Sequence, residues 1–287
     1  MRCSKCNRSA VYDAPSYCAE HFSRYFEAKV FKAIQDYRMI SKNDRVAVAV
    51  SGGKDSLVLL SILSKRYDTE AICIDEGIAG YRERTIGSLK RFAGQKIKYR
   101  IIKFKDEVGK TLDDIVSSKG IRPCTVCGIF RRKLLNKHSK GFDVIATGHN
   151  LDDVSQAIVM NLLKNNFSLM PRQGPVSGNA TVGGFTKRVK PLYFCAEREV
   201  MAYSILKGIT TDFVECPNVH LSFRHKIRDW LNSYEATHPG AKHNIIRWYL
   251  KNYIRMAEKK ENTYCQECGE PSSGKICSSC RMETLCS

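Results

Sequence analysis

The 287-residue sequence contains no apolar run near the roughly 20 residues that cross a bilayer, which excludes a membrane-spanning helix. It also lacks the apolar stretch of about 7 to 15 residues that marks a secretory leader. Its 13 cysteines are therefore expected to be thiols in a reducing compartment, not disulfides. Acid is scarce as well: 29 Asp+Glu against 47 Lys+Arg leave a net charge of +18. That excess asks for an acidic partner, and nucleic acid is the first choice. At 43% hydrophobic and 26% charged, the chain is neither a disordered tail nor a knot too small to have a core.

Ten of the cysteines fall into three groups. Cys3, Cys6, Cys18 and His21 read C-x2-C-x11-C-x2-H, and Cys265, Cys268, Cys277 and Cys280 read C-x2-C-x8-C-x2-C. Paired CxxC-type turns converge four ligands on one ion, so both quartets are expected to be closed, structural zinc sites. The third group, Cys124 and Cys127 with distant Cys216, is an incomplete set. Zinc closed by water or His220 would suit it, and so would a 4Fe-4S cluster with one iron left free. Spacing does not choose between them. Cys73, Cys195 and Cys286 read as structural, the last in a frayed tail.

Between the terminal quartets, Val-rich or apolar runs at 45–50, 69–75, 98–104 and 142–149 read as strands. They alternate with helical stretches near 82–93, 111–117, 125–138 and 151–163, which predicts an α/β fold with a doubly wound parallel sheet. Residues 165–189 read as a long loop, and helices resume at 196–207 and 222–258. The expected divisions are a zinc finger at 1–24, a nucleotide-binding domain at 25–220, a basic helical region at 221–260 and a second zinc finger at 261–287.

Where the first strand meets its helix stand Ser51, Gly52, Gly53, Lys54, Asp55 and Ser56. Two glycines and a helix N-terminus make a cradle for phosphate. The P-loop NTPase pattern is absent, because Asp55 follows the lysine and Val48 stands where that pattern needs glycine. SGGKDS here resembles the signature of the pyrophosphate-binding (PP-) loop ATPases, which cleave ATP to AMP and pyrophosphate. A second strand-end motif, Gly148-His149-Asn150-Leu151-Asp152-Asp153, offers carboxylates for Mg2+ or for proton handling.

The ordered set CxxC…CxxH, SGGKDS, IDEGIAGYR, CTVCGIFRR, GHNLDD, Cys216 and CxxC…CxxC is similar, end to end, to the tRNA 2-thiouridine synthetases of the TtcA/TtuA superfamily. Asp75-Glu76-Gly77-Ile78 with Gly80-Tyr81-Arg82 resembles the branch of cytoplasmic tRNA 2-thiolation protein 1 and archaeal NcsA, which modify the wobble uridine, position 34. The alternative is the TtuA branch, which thiolates uridine 54; it carries a lysine where this chain has Arg131. The resemblance implies that Ser51, Gly52, Gly53, Lys54, Asp55, Ser56, Asp75, Gly148 and Asp152 hold ATP and Mg2+. It further implies catalytic roles for Asp55 and Asp153, and a 4Fe-4S cluster on Cys124, Cys127 and Cys216 that delivers sulfur to uridine C2. Persulfide chemistry on the same cysteines is the rival. The sulfur donor would be sulfide or a thiocarboxylated ubiquitin-like carrier, and the enzyme a cytoplasmic homodimer.

The tRNA surface is expected on the basic helices, at Arg224, His225, Lys226, Arg228, Lys242, Arg247, Lys251, Arg255, Lys259 and Lys260. The interleaved Trp230, Trp248, Tyr249 and Tyr253 read as core. Counting metal-bound cysteines as thiolates lowers the net charge from +18 to about +14. Two other readings remain: a different adenylating ligase of the superfamily, and a zinc-finger RNA-binding adaptor with a vestigial ATP site.

Overall fold

The structure, a computed structural model, describes residues 1–178, 186–212, 214–252, 263–272 and 274–286. A short hairpin of β1 (Tyr12–Asp13) and β2 (Ser16–Tyr17) leads into α1 (Ala19–Asp36). Then follow β3 (Arg45–Ala49), α2 (Lys54–Leu63), β4 (Asp68–Asp75), α3 (Arg82–Ala93), β5 (Lys98–Lys103), α4 (Phe104–Val108), α5 (Leu112–Lys119) and α6 (Pro123–His138). The second half runs β6 (Val144–Thr147), α7 (Leu151–Leu163), β7 (Val176–Ser177), β8 (Lys187–Val189), α8 (Glu197–Leu206), α9 (Phe223–Thr237) and α10 (Ala241–Asn252). A hairpin of β9 (Thr263–Tyr264) and β10 (Pro271–Ser272) precedes α11 (Ser278–Cys286).

The main sheet has the order β5-β4-β3-β6-β8-β7, all parallel except the β7–β8 pair. The doubly wound reading holds, and the strands show why. Val46, Val48, Ala71, Cys73, Val144 and Ala146 point to one core, with α1, α2 and α8. Ala47, Ile72, Ile74 and Ile145 point to the other, with α5, α6 and α11. A strand buried on both faces needs apolar residues at every position, which is what those runs supply.

Four expectations are corrected. Residues 165–189 are not simply a loop: a 3-10 turn (Phe167–Gln173) and strands β7 and β8 lie in them, and β8 extends the sheet beyond β6. Lys-Arg-Val in β8 carries no apolar run to announce it, because the pairing is only three residues long. The helical stretch expected at 222–258 is divided into α9 and α10 at His238-Pro239-Gly240, a break the expectation did not place, where Gly240 has φ +94°; residues 253–258 of that expectation lie outside the described residues. Cys286 is no frayed tail but is buried, 4% exposed, against the second core. Finally α1 runs through residue 24, and Phe22, Phe26 and Val30 share one core, so the first finger merges into the central domain. Among the described residues no helix is long and apolar enough to cross a membrane.

Candidate functional site

The phosphate loop turns at the carboxyl end of β3. Gly52 has φ +86°, and a Cβ there would stand 2.0 Å from the Thr85 carbonyl oxygen, so only glycine fits. Ser56 Oγ donates to the Gly53 carbonyl at 2.8 Å, and the Gly53 amide donates to Ser51 Oγ at 3.3 Å. Gly148, at the end of β6, lets α2 approach: a Cβ there would meet the Ser56 amide nitrogen at 3.0 Å. The two motifs singled out in the sequence therefore touch. Gly52→Ala adds left-handed strain of about 1–2 kcal/mol to a backbone clash. It is expected to weaken ATP binding by about tenfold or more, read by calorimetry.

Lys54 does not hang free over the cradle. Its Nζ pairs with Glu197 at 2.7 Å and with Asp55 at 3.2 Å, and Asn150 Nδ2 donates to Asp55 Oδ1 at 2.9 Å. Asp55, Asn150, Asp153, Glu197 and Arg224 line one cavity of about 160 Å³. Asp153 accepts from Arg224 at 3.2 Å. Burial pushes its carboxyl up to about 6, with Arg224 working against the rise. The native state thus holds this proton more tightly than the unfolded chain, so Asp153 contributes stability that is lost as pH rises from about 4 to about 6. About a third of the side chain reaches solvent (33%), so the slope should be below one proton. Urea midpoints of the wild type minus those of Asp153→Asn check it: the difference should shrink from pH 4 to pH 6, while His149, pulled down to about 3 by desolvation, drives both proteins the other way. Asp152 is placed differently: its carboxylate accepts from the Glu197 amide at 2.7 Å and is paired with the buried Lys242 ammonium. It braces α7 against α8 and α10, and does not line the cavity. Asp75 accepts from the Gly77 amide at 3.0 Å, holding the turn that follows β4.

The cysteine triad sits beside this cradle. Cys124 is exposed and its Sγ points at the Asn218 carbonyl, 3.8 Å away. Cys127 lies half-buried 3.9 Å from Glu76 Oε1, and burial pushes its thiol up to about 11 although Arg131 opposes this. Cys216 packs against the same core as Cys127, and burial raises its thiol too. Around one zinc ion, ligand sulfurs at about 2.3 Å cannot be more than about 4.6 Å apart. In each terminal quartet all ligand atoms lie within 4.8 Å of one another, near that limit, and the triad does not form so tight a group. Three thiolates grouped less tightly than those quartets fit a cluster in which each takes its own iron. In the terminal quartets, amides aim at the sulfurs: Lys5 N to Cys3 at 3.4 Å and Cys277 N to Cys265 at 3.2 Å. The Cys277 and Cys268 amides lower the Cys265 thiol to about 6, which suits a thiolate ligand.

Sequence reasoning quoted Glu76 and Arg82 only as parts of a motif, yet they join the two halves of the site. Glu76, 4% exposed, pairs with Arg82 at 2.8 Å and with Arg131 at 3.4 Å. Arg82 also donates to the Ser51 carbonyl at 2.9 Å and to Cys73 Sγ at 3.1 Å. Asp-Glu followed six residues later by an Arg at a helix start was the available signal. The basic surface needs correction as well. Lys242 is buried on Asp152, Arg224 serves Asp153, and Arg228 pairs with Glu215 at 3.0 Å. Lys226, Arg247 and Lys251 stay exposed, and Tyr253, Arg255, Lys259 and Lys260 lie outside the described residues. Tyr249 is core, its hydroxyl donating to the Met170 carbonyl at 2.8 Å, but Trp230 and Trp248 are exposed.

Residues 22–235 match the PP-loop domain family. The chain is 36% identical to the tRNA-5-methyluridine(54) 2-sulfurtransferase of Pyrococcus horikoshii, across 98% of this chain and 93% of that protein. It is 31% identical to the tRNA 2-thiolation protein NcsA of Haloferax volcanii, across 98% of each. Among solved structures it resembles the U34-tRNA thiolase NcsA from Methanococcus maripaludis with its 4Fe-4S cluster: TM-score 0.84, 34% identity, 99% of this chain and 96% of that one.

Proposed function

We propose that this chain, which belongs to the PP-loop family of tRNA 2-thiolation proteins, uses ATP to replace the C2 oxygen of the wobble uridine with sulfur. One observation carries the reading: a single buried arginine, Arg82, hydrogen-bonds the phosphate loop and pairs with the carboxylate beside Cys127. An activating site and a sulfur site are thereby built into one framework.

A uracil carbonyl oxygen is a very poor leaving group. Attack of that oxygen on the α-phosphate of ATP expels pyrophosphate and turns the oxygen into part of an AMP leaving group; arriving sulfur then displaces AMP from C2. In this scheme the Gly52-Gly53 turn and the N-terminus of α2 cradle the phosphates. Lys54, held between Glu197 and Asp55, offsets their charge. Asp55 and Asp153, lining one cavity, are the carboxylates placed to take Mg2+, and Arg224 keeps Asp153 in position. Asp75 steadies the turn that follows β4. Cys124, Cys127 and Cys216 would hold a 4Fe-4S cluster, whose iron without a cysteine ligand would bind sulfide for transfer to C2. Two zinc ions close the terminal quartets. Sulfide or a thiocarboxylated ubiquitin-like carrier brings the sulfur, and the protein works as a homodimer in the cytoplasm. The wobble base lies in a loop, so extracting it costs less than extracting one from a duplex.

Uridine 54 is the second reading, favoured by the P. horikoshii relative. Against it, Arg131 occupies the place of the lysine expected in that branch, and its guanidinium is committed to Glu76. Purified anaerobic protein given tRNA, ATP and sulfide should form AMP and 2-thiouridine together. Formation of ADP, or AMP without thiolation, would contradict the reading.

A further inference from the structure

The cations shared by α6 and β8 take no part in the site described so far. Arg188 and Lys190 stand two residues apart at the carboxyl end of β8, so their side chains leave the same face of the sheet. Val189 pairs with Ala146 of β6, which sets Lys190 beside the His149 end of that strand. Arg188 Nη2 donates to Asn136 Oδ1 of α6 at 2.8 Å. One turn earlier on α6, the Arg132 guanidinium folds over Gly128, where a Cβ would lie 3.3 Å from it. Arg172 joins from the 3-10 turn, near enough to Arg132 to repel its charge. Lys190 is only 7% exposed, and its Nζ donates to the Gly174 carbonyl at 3.0 Å and the Arg172 carbonyl at 3.4 Å.

The group lacks a paired counter-charge, Asp153 acting on Lys190 only from beyond salt-bridge distance. Among the described residues none of these four cations has a carboxylate within 4.0 Å, whereas the neighbouring Arg131 and Arg224 are paired with Glu76 and Asp153. The stretch 179–185, Asn-Ala-Thr-Val-Gly-Gly-Phe, carries no acid either. Burial, together with Arg188, pulls Lys190 down to about 7, and burial, together with Arg132, pulls Arg188 down to about 10. A buried ammonium satisfied only by neutral carbonyls, and crowded by guanidinium groups, costs stability until an anion enters. The Arg188 hydrogen bond to Asn136 and the Lys190 hydrogen bonds to the two carbonyls hold these cations in place regardless.

We propose that Arg132, Arg172, Arg188 and Lys190 form an anion site that takes one backbone phosphate of the bound RNA beside the target uridine. This rests on the tRNA thiolation reading and names a contact for it. The phosphates of ATP have their own cradle at the end of β3; β8 lies two strands away, about 10 Å across the sheet. Arg132 folds over Gly128, the residue after Cys127. A phosphate held there belongs to the nucleotide whose base reaches the cysteines. Arg132 and Arg172 are exposed at the mouth while Lys190 forms the floor. Guanidinium forks suit phosphate oxygens in pairs.

The test compares wild type with the Arg132→Ala/Arg172→Ala double variant, whose side chains are exposed, and with Lys190→Met. Filter binding of tRNA at several salt concentrations gives affinity and slope; calorimetry gives ATP affinity without tRNA. The double variant should bind tRNA about tenfold more weakly, with a slope of log K on log salt shallower by about one, and bind ATP as wild type does. Lys190→Met should repeat the tRNA defect. Wild-type tRNA affinity and slope in the double variant would overturn the proposal, as would weakened ATP binding with tRNA binding intact, which would assign the site to the nucleotide. Either result with wild-type enzyme still thiolating tRNA leaves the thiolation reading standing. Wild type that neither binds nor thiolates tRNA overturns both.

Discussion

Cys124→Ala protein is expected to lose tRNA thiolation and iron-sulfur absorbance together, while unfolding at the wild-type temperature. The expectation follows from where Cys124 sits. Its side chain is exposed at the start of α6, and its sulfur meets the Asn218 carbonyl only at 3.8 Å. Little packing is lost on truncation. As one of three thiolates in an already incomplete set, however, it has no substitute among the described residues. Loss of an outer partner of a metal site costs about 10–100-fold, and loss of a ligand should exceed that. Cys195→Ala is the opposite case. Cys195 is 1% exposed in the core between α1 and α8, so its variant should be less stable yet keep iron and activity. Iron analysis, absorbance under argon and melting curves on the two variants separate the roles. Colourless, iron-free wild type that still thiolates tRNA would favour persulfide chemistry.

The second large effect is expected at Glu76. Removing its carboxylate in Glu76→Ala leaves Arg82, 3% exposed, without its counter-ion, and unties Arg131. Breaking one side of a buried pair costs about 3–5 kcal/mol. For a chain of this size that lowers the melting temperature on the order of 10 °C. The paired replacement Glu76→Leu with Arg82→Met should recover much of that loss, because neither buried charge then remains. It should not recover activity, because the Ser51 carbonyl loses its guanidinium donor and Cys127 its neighbouring carboxylate. Recovery of both would make the pair structural only. Calorimetric melting and single-turnover thiolation on the three proteins decide this.

The parts of this site that were legible in the sequence are those encoded by neighbours. SGGKDS, the CxxC pairs and GHNLDD are each spelled within a few residues, and each lies where a strand or turn places it. The apolar runs that made the central strands readable are long because those strands are buried on both faces. The unreadable parts depend on partners far apart in the chain. Nothing near Lys54 points to Glu197, nothing near Asp152 points to Lys242, and nothing near Asp153 points to Arg224. As a result three charges taken as a phosphate neutraliser and an RNA surface turned out to be tied to carboxylates. β8 escaped notice because its residues are cationic, and that same chemistry makes its end an anion site. Trp230 and Trp248 follow helical spacing, which suggested core, but they stand exposed on α9 and α10.

The most direct test of the account is mass analysis of total tRNA nucleosides, mapped by position, from cells lacking this protein. The account predicts that 2-thiouridine derivatives vanish from position 34, that position 54 is untouched, and that wild-type protein restores the modification while Cys124→Ala protein does not. Loss confined to position 54, or no loss of 2-thiouridine at either position, would contradict it.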